Sequence, residues 1–322
     1  MSARPLRVVI PGGSGQIGTL LARALHGRGH EVTVLSRHSR AGQPWRCEAW
    51  DAGAGGDWVR CLEGADAVIN LCGRSVNCRY TAANRREIIA SRTGPTRALG
   101  EAMARLEQPP RVWLQAGTAT IYEHTYGAPN DEFTGREGGS EPGVPQGWQF
   151  GVEVARAWEG AARAAALPRT RLVEMRISLA MNPDPGSVFD VLLGLVRRGL
   201  GGAQGDGRQY VSWIHEDDLV AAVLWLIGRE EISGPVNLAS PQPLPNAEFM
   251  AALRKAWGAR LGLPAPAWLL EIGAVFLRTE TELILKSRRV VPGVLTRSGF
   301  EFQFPDWPGA AHDLCQRWRR LR

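Results

Sequence analysis

The sequence has few cysteines and no long apolar run, and both absences limit what the protein can be. Its five cysteines are odd in number and show no CxxC spacing, which favours free or buried thiols over disulfides or zinc. They are Cys47, Cys61, Cys72, Cys78 and Cys315. The longest apolar stretches, such as residues 219–227, are too short to span a bilayer. No apolar leader precedes the first candidate strand, so we expect a cytoplasmic protein without a membrane partner.

The sequence also lacks a recognisable metal-binding pattern and a concentrated basic tract. Its six histidines are scattered, and HEDD at residues 215–218 is neither an HExxH motif nor a calcium loop. The net charge is +6, but 38 basic residues are spread among 32 acidic ones. We interpret the densest cluster, Arg317, Arg319, Arg320 and Arg322, as the solvated last turn of a helix. We therefore expect neither a metal nor a nucleic-acid partner.

The first half of the chain alternates short apolar runs with helical patterns, which is typical of βαβ units and a parallel sheet. Strands are predicted at residues 7–10, 31–36, 47–50, 67–71, 111–116 and 171–177. Helices are predicted at residues 15–26, 81–106 and 150–166, with a break in the second at Gly94-Pro95 and a loop over 135–147. The fold class is α/β, a doubly wound parallel Rossmann sheet.

The second half is less regular. It has a turn at residues 182–186, a loop at 199–207, a strand at 236–238 and helices at 187–198 and 215–228. Beyond Ser240 it is helical and interrupted by prolines, ending in a short segment around residues 300–304. We expect a larger domain, built on the Rossmann sheet, over residues 1–180 plus about 214–240. Residues 181–213 and 241–322 would form a smaller, discontinuous substrate lobe.

A glycine-rich turn follows the first predicted strand and opens the first helix. Gly12, Gly15 and Gly18 have GxxGxxG spacing, with Gln16 and Ile17 between the last two. One glycine permits the tight turn, another lets backbone N–H groups approach a pyrophosphate, and the third lets the helix pack closely on the sheet. Because the strand, the turn and the helix agree, the pattern predicts dinucleotide binding.

The end of the second predicted strand indicates which dinucleotide is bound. An acidic residue there would accept hydrogen bonds from the ribose of NAD and repel a 2′-phosphate. This chain has Ser36 and Arg37 instead, and a guanidinium can pair with the phosphate and stack on adenine. We therefore predict NADP(H), with Asp51 after the third strand near the adenine. The alternative for Arg37 is an ordinary solvent-exposed arginine.

Several motifs together make the chain similar to a known family. They are GGSGQIG at residues 12–18, VINLCG at 68–73, the Arg79-Tyr80 and Ser91-Arg92 region, TATIY at 118–122, WE at 158–159, GLGGAQGDGRQYVSWIHEDD at 199–218, and the tail over 287–307. With these, the chain resembles the extended short-chain dehydrogenase/reductases, the NAD-dependent epimerase/dehydratase group, and in particular its atypical YfcH-type branch. The tail resembles the small C-terminal domain of that branch. The resemblance also places Leu71, Cys72 and Gly73 beside the cofactor.

The resemblance implies a Ser/Thr–Tyr–Lys site, in which the tyrosine exchanges a proton with the substrate oxygen while hydride passes to or from the nicotinamide. Thr118 falls at the Ser/Thr position, whereas Gly151 falls at the tyrosine position and Ala155 at the lysine position. No tyrosine lies between Tyr126 and Tyr210, and no lysine precedes Lys255, so no shift of register restores the pair. Pro11 also replaces the usual threonine before the glycines.

If catalysis survives, another acid must stand near Thr118. Tyr122 lies four residues further on, in the loop leaving the fifth strand, and it is our candidate, with Glu123 and His124 adjacent. The alternative for each of the three is a surface or packing residue. Arg208, Tyr210 and Trp213 belong to the segment that resembles the substrate-facing part of extended reductases, where an arginine could clamp an anionic group. His215 is equally explained as a helix-end residue.

Two main hypotheses on function remain. The first is an NADP(H)-dependent oxidoreductase or epimerase-like enzyme with a replaced proton donor, acting on a small molecule such as a nucleotide sugar or carbonyl compound. The second is an inactive NADP(H) sensor that acts through a protein partner. The resemblance favours the enzyme, and the emptied Tyr–Lys positions favour the sensor; a scaffold with a vestigial pocket is a third reading. A homodimer is one assembly that we allow for.

Overall fold

The structure is a computed structural model that describes residues 4–37, 42–142, 144–268 and 282–322. Its strands are β1 (Arg7–Pro11), β2 (Glu31–Ser36), β3 (Arg46–Ala49), β4 (Ala67–Asn70), β5 (Val112–Thr118), β6 (Arg171–Ile177), β7 (Leu179–Met181), β8 (Tyr210–Val211), β9 (Trp213–His215), β10 (Gly234–Leu238) and β11 (Leu244–Pro245). Its helices are α1 (Gln16–Gly27), α2 (Ala82–Met103), α3 (Gln149–Arg163), α4 (Val188–Arg197), α5 (Glu216–Gly228), α6 (Asn246–Trp257), α7 (Glu282–Leu285), α8 (Gly293–Arg297) and α9 (Trp307–Arg320). Short 3₁₀ turns lie at Asp57–Cys61, Ala119–Ile121 and Gln146–Trp148.

Seven strands form one parallel sheet in the order β10-β6-β5-β4-β1-β2-β3. The strand order reverses between β1 and β4, and in open α/β sheets ligands collect outside the carboxyl ends of the strands at such a point. The predicted α/β Rossmann fold class is therefore confirmed. Two small pairs, β7 with β9 and β8 with β11, lie outside the main sheet.

Helices cover both faces of this sheet, which explains why most residues of its inner strands are apolar. Leu21 and Leu25 of α1 pack with Leu219 and Val223 of α5 against alternate residues of β1, β2 and β4. Leu99 and Met103 of α2 pack with Trp113 of β5 in a second cluster on the remaining alternate residues. Each such leucine stabilises the fold by roughly 1.5–3 kcal/mol through the apolar surface it removes from water.

The sequence located every strand of the main sheet to within a few residues, but the predicted break in the long second helix is wrong. Pro95 is buried inside α2, which continues without a break across Gly94-Pro95. A proline in a helix interior removes one hydrogen bond and costs about 3 kcal/mol. Buried residues on its C-terminal side, including Ala98, Leu99 and Met103, offset that cost by packing on the sheet. The short strands β7, β8, β9 and β11 gave no signal, because two or three residues carry no periodicity.

A separate apolar cluster lies between α4, α6 and α9. The Phe249 and Trp307 rings stack there with centroids 4.0 Å apart, and Trp307 Nε1 donates to Phe249 O at 2.8 Å. The predicted division into a cofactor domain and a substrate lobe stays a prediction, but this cluster is the core that such a lobe would need. After α7 the chain returns to the sheet, since Leu295 and Phe300 join the core beside β10.

The last turn of α9 packs on the acidic first turn of α5. Arg317 NH1 lies 3.1 Å from Glu216 Oε1, and its Nε lies 2.6 Å from Asp313 Oδ2. The interpretation of the terminal arginines as solvated is therefore wrong for Arg317, because a tertiary contact supplies its counter-charges. Arg319, Arg320 and Arg322 are exposed. Across the described ranges, no helix is long and apolar enough to cross a membrane.

Candidate functional site

The glycine-rich turn between β1 and α1 has the geometry that the sequence predicts. Gly12 has φ +75°, and a Cβ there would lie 2.7 Å from the backbone nitrogen of Cys72. A Cβ on Gly18 would lie 2.4 Å from Gly13 Cα, so only glycine lets α1 approach the turn this closely. Gly15 is the N-cap of α1 and offers no side chain to its first N–H groups, and Gln16 and Ile17 begin the helix. A helix start that is not capped by its own chain suits an anionic ligand.

The loops after β1, β2 and β4 meet at the carboxyl edge of the sheet. Leu71 N donates to Pro11 O at 2.8 Å, and Cys72 N donates to Asn70 Oδ1 at 3.1 Å. Burial raises the pKa of the Cys72 thiol to about 12, and the charge of Arg37 acts in the opposite direction. Arg37 is itself exposed, so its guanidinium is close enough to influence the loop yet accessible to a ligand.

The other predicted cofactor residues lie around the same edge. Ser36 ends β2 and is largely buried. Asp51 follows β3, is exposed, and its Oδ1 accepts the N–H of Gly53 at 2.8 Å. Gly73 follows β4 beside Arg92, whose guanidinium carbon would lie 3.1 Å from a Cβ on Gly73.

A cavity of about 110 Å³ lies beyond the carboxyl ends of β4 and β5. Its lining combines hydroxyl, aromatic and charged side chains from several elements, namely Val76, Tyr80, Arg92, Thr118, Thr120, Phe150, Gly151, Val154, Trp158 and Glu282. Thr118 is the last residue of β5, and its Oγ1 lies 3.1 Å from Thr120 Oγ1. We call this cavity the Thr118 pocket. Its mixed lining suits a polar organic ligand held against aromatic surface.

Arg92 is the buried cation of the Thr118 pocket. It reaches the pocket from α2, and its guanidinium carbon lies 5.0 Å from the Trp158 ring centroid. Burial lowers its pKa to about 10, the charge interaction with Tyr80 raises it, and Arg74 lowers it further. The Tyr80 ring in turn contacts Phe150 edge-on at 4.8 Å. Arg92 remains protonated at neutral pH and makes this side of the pocket positive.

Gly151 and Ala155, the positions that the resemblance assigns to the missing Tyr–Lys pair, both lie on α3. Gly151 lines the Thr118 pocket, and Ala155, one helical turn later, is fully buried beside Val152 and Tyr122. A Cβ on Gly151 would lie 2.6 Å from Glu282 Oε1 and 2.9 Å from Thr120 Cγ2. The space that a tyrosine side chain would begin to fill therefore holds the Glu282 carboxylate.

Tyr122 does not line the Thr118 pocket. Its side chain is only 2% exposed, and its hydroxyl lies 3.0 Å from both Asn237 Oδ1 and Arg176 NH1. Burial raises the pKa of Tyr122, and the charge and hydrogen bond of Arg176 oppose that rise. This placement does not support the proton-donor role that the sequence suggested, because the hydroxyl faces fixed protein groups. Glu123 and His124 lie beside it, outside the pocket lining.

Glu159, the acidic residue used to set the register, belongs to the same buried network. Arg176 Nε donates to Glu159 Oε1 at 2.9 Å, and Arg163 NH2 donates to Oε2 at 3.0 Å. Glu159 is 1% exposed. A buried carboxylate held by two guanidinium groups fixes α3 against β6, and removing one partner would leave a buried charge.

The predicted substrate residues are not brought together with Thr118. Trp213 is fully buried against Trp307, with ring centroids 5.0 Å apart, so the structure does not support substrate contact by Trp213. Arg208 is exposed and lies over the Tyr126 ring, while Tyr210 is half-buried beneath Arg289. Neither lines the Thr118 pocket.

Sequence reasoning missed the contribution of the C-terminal part of the chain. Glu282 lines the pocket, Lys286 Nζ donates to Thr120 O at 3.0 Å, and Arg288 Nε donates to Thr120 Oγ1 at 3.2 Å. No spacing rule connects these residues to Thr118, since the two segments are far apart in sequence. The sequence offers one signal for this segment, which is Lys286. Lysine is rare in this chain, since the sequence contains only one other, Lys255. In the described part of the chain, no cluster of His, Cys, Asp or Glu is suited to hold a metal ion.

The fold and the glycine turn define a dinucleotide-binding α/β protein of the short-chain dehydrogenase/reductase type. Residues 8–239 match the model of the NAD dependent epimerase/dehydratase family, and residues 265–314 match a domain of unknown function, DUF1731. The chain belongs to the NAD dependent epimerase/dehydratase family and carries the small C-terminal domain that the sequence led us to expect.

Curated relatives and solved structures agree with this assignment. The human epimerase family protein SDR39U1 is 31% identical over 312 residues, covering 96% of this chain and 99% of the relative. A crystal structure of human SDR39U1 (isoform 2) with NADPH matches 97% of this chain and 99% of that chain, with a TM-score of 0.83 and 30% identity. A nucleoside-diphosphate sugar epimerase from Corynebacterium glutamicum matches 97% of this chain and 59% of its own, with a TM-score of 0.74 and 28% identity.

Proposed function

We propose that this protein binds NADP(H) across the glycine turn and acts on a carbonyl or alcohol group of a small molecule in the Thr118 pocket. One observation carries the cofactor assignment: the uncapped start of α1 and the exposed Arg37 lie at one edge of the sheet, with no acidic residue ending β2. The helix start suits a pyrophosphate, and Arg37 suits a 2′-phosphate. The NADPH in the crystal structure of human SDR39U1 supports the choice.

The residues present fit this cofactor. The backbone around Gly12 and Gly18 leaves no room for side chains, so a ligand could approach the backbone of the turn and the uncapped start of α1 closely. Ser36, Arg37 and Asp51 would contact the adenosine half, and Leu71, Cys72 and Gly73 would lie beside the turn. When bound, NADP(H) supplies or accepts the hydride. Thr118 would orient the substrate oxygen by its hydroxyl, and Arg92 would attract a negatively charged substrate.

Turnover, rather than sensing alone, is supported by the polar lining of the Thr118 pocket. A cavity that holds Thr118, Arg92 and Glu282 together presents groups able to bind an oxygen and exchange its proton. The substrate class is a nucleotide sugar or another carbonyl compound, and the nucleoside-diphosphate sugar epimerase from Corynebacterium glutamicum supports the former. The alternative is an NADP(H)-binding sensor, which the glycine and alanine at positions 151 and 155 support.

The experiment that tests this proposal is ligand-induced thermal stabilisation followed by a turnover screen. A ligand that binds only the folded state raises the melting temperature. NADPH should raise it more than NADH at equal concentration, because Arg37 suits the 2′-phosphate that NADH lacks. Equal shifts would refute the NADP(H) assignment. Loss of NADPH absorbance with carbonyl compounds, or conversion of a nucleotide sugar to its epimer observed by NMR, would support the enzyme. NADPH binding with neither change would support the sensor. A homodimer and a cytoplasmic location stay predictions, which light scattering and cell fractionation would test.

A further inference from the structure

The Glu282 carboxylate occupies the space above Gly151. A Cβ on Gly151 would lie 2.6 Å from Glu282 Oε1 and 3.3 Å from Oε2, far inside normal contact for the first of these. Glu282 is 2% exposed, and it lines the Thr118 pocket together with Thr118 and Thr120. The absence of a side chain at Gly151 is therefore what allows the carboxylate to enter the pocket. The space left by the missing side chain at Gly151 and the Glu282 carboxylate are complementary in shape.

Positive groups surround this carboxylate on its own segment. Arg288 NH2 lies 3.9 Å from Glu282 Oε1. Burial lowers the pKa of Arg288, and lowers that of Lys286 to about 8, and the charge of Glu282 opposes the shift in both. Both cations also hold the turn after β5, through the main-chain and side-chain oxygens of Thr120. The segment thus fixes Glu282 and Thr118 relative to each other.

Titratable groups also face the pocket from the opposite wall. Arg92 comes from α2, and Tyr80 comes from the loop before α2. Tyr80 packs against Phe150, whereas Glu282 stands at Gly151, the position that the family resemblance assigns to the proton-exchanging tyrosine. From α3 itself, Gly151 and Val154 bring no ionisable group to the lining. Among the described pocket residues, Glu282 is thus the acid placed at the tyrosine position.

We propose that Glu282, contributed by the C-terminal domain of unknown function, exchanges the proton with the substrate oxygen in the Thr118 pocket. This rests on the proposed function, which supplies NADP(H) as the hydride donor or acceptor. In carbonyl reduction, hydride reaches the carbonyl carbon, the carbonyl oxygen takes the Glu282 carboxyl proton, and an alcohol and a carboxylate result. Glu282 then regains a proton from solvent, and in oxidation the same steps run in reverse. Arg288 and Lys286 stabilise the carboxylate formed.

The placement of Glu282 is tested by a stability cycle that needs no ligand. Gly151→Ala should lower the melting temperature by roughly 2–8 °C, because its Cβ meets the carboxylate and Thr120. The same change made in Glu282→Ala should cost less, since one of the two contacts is gone. Gly160→Ala is the matched control, because it lies on the same helix with nothing within 4 Å of its Cβ. Equal costs of Gly151→Ala in both backgrounds would overturn the placement.

The proton role is tested by infrared spectroscopy on the full-length protein labelled with ¹³C-glutamate. The difference between wild type and Glu282→Gln should contain a carboxyl band whose intensity changes with pH, because a residue that exchanges a proton must occur in both forms. Glu174→Gln is the control. Glu174 is a buried carboxyl on β6 that pairs with Arg163, and its replacement should leave the Glu282 band in place. Absence of a titrating Glu282 band would overturn the proposal.

Turnover gives an independent measurement with phenanthrenequinone as the carbonyl probe. Glu282→Gln should lower kcat about 100-fold and flatten its pH profile, with less than about a twofold change in NADPH Kd by fluorescence titration. A loss that follows Tyr80→Phe instead, with Glu282→Gln unaffected, would overturn the proposal. If wild type binds NADPH but does not reduce phenanthrenequinone, turnover of this probe is not supported. The infrared titration then decides the role of Glu282 by itself. If NADPH does not bind, the proposed function fails, whatever the stability cycle shows.

Discussion

The imidazole Nε2 of His215 lies 3.1 Å from Asp313 Oδ2, which joins the start of α5 to α9. On its other side, His215 Nδ1 accepts the N–H of Asp217 at 3.1 Å and caps α5. The neutral ring therefore carries its proton on Nε2 and donates it to Asp313. Burial lowers the pKa of His215 to about 4, with Asp217 opposing the shift. Of the two roles that the sequence leaves open for His215, the structure shows the helix-end role.

Acid should weaken the protein through His215. Its folded-state pKa lies below the unfolded value of about 6.5, so the unfolded chain binds more protons in the window between the two values, and stability falls as pH falls through it. His215→Asn keeps an N-cap oxygen without titrating. Between about pH 6.5 and 4.5, wild type should lose on the order of 2 kcal/mol more stability than His215→Asn, measured by urea unfolding.

Glu216, in the same cluster as His215, should make stability depend on pH in the opposite direction. Burial raises its pKa to about 7, although Arg317 opposes the shift. A carboxyl whose pKa is raised on folding contributes stability at low pH that is lost as pH rises toward 7. Glu216→Gln should therefore lose less stability than wild type between about pH 5 and 8. Parallel pH profiles for wild type and either variant would contradict the titration assigned to that residue.

Arg37→Asp should reverse the preference for the phosphorylated dinucleotide. Replacing the guanidinium by a carboxylate removes one charge-assisted hydrogen bond and adds repulsion, which should weaken NADPH binding by roughly 10–100-fold and leave NADH little changed. Isothermal titration calorimetry measures both affinities. Arg60→Asp is the control for total charge, since Arg60 is highly exposed and lies in the 3₁₀ turn before β4. An unchanged NADPH/NADH ratio in Arg37→Asp would show that Arg37 is an ordinary surface arginine.

Gly12→Ala should cost more than Gly29→Ala, although both glycines have positive φ. At Gly29, with φ +83°, a Cβ meets nothing within 4 Å, so the cost is backbone strain of about 1–2 kcal/mol. At Gly12 the Cβ would also meet the Cys72 backbone at 2.7 Å, which should add about 1–3 kcal/mol. Denaturant unfolding gives both values. NADPH binding should weaken in Gly12→Ala but not in Gly29→Ala. Equal losses of unfolding free energy in the two variants would show that the turn at Gly12 relaxes freely.

Tyr122→Phe should reduce stability without abolishing turnover. It leaves Arg176 and Asn237 without their hydroxyl partner in a buried site, at a cost of about 1–3 kcal/mol. The unfolding free energy and the steady-state rate on the same preparation separate the two effects. Thr118→Ala should instead lower the rate with little loss of stability, because Thr118 lines the pocket. A variant of Tyr122 that is stable but inactive would restore the sequence-based role of this tyrosine.

The sheet could be predicted from sequence because its signals are local. Apolar runs such as the one around Ile69 alternate with helical periods, and the glycine turn needs only the short stretch from Gly12 to Gly18. The uninterrupted α2 could not be predicted, since the compensation for Pro95 comes from packing across the sheet. Local propensity gives the cost of a proline but not what offsets it.

The candidate site also has one part that the sequence indicates and one part that only the folded chain brings together. The absence of the Tyr–Lys pair follows from simple inventory, and the choice of Thr118 follows from the family resemblance. Its position four residues after Thr118 favours Tyr122, yet the strand-to-turn geometry points its hydroxyl toward Arg176. No sequence pattern indicates Glu282, because only the folded chain brings it to Gly151.

The return of the chain to the sheet after α7 has a consequence during synthesis. A ribosome completes β10 well before it makes the residues around Leu295 and Phe300, which cover the sheet beside that strand. The emerging polypeptide therefore carries an unfinished, apolar sheet edge until Leu295 and Phe300 are translated, a stage at which chaperones bind and strands pair wrongly. Premature termination before Leu295 would remove part of the sheet core and would yield an aggregating fragment rather than a shortened folded protein.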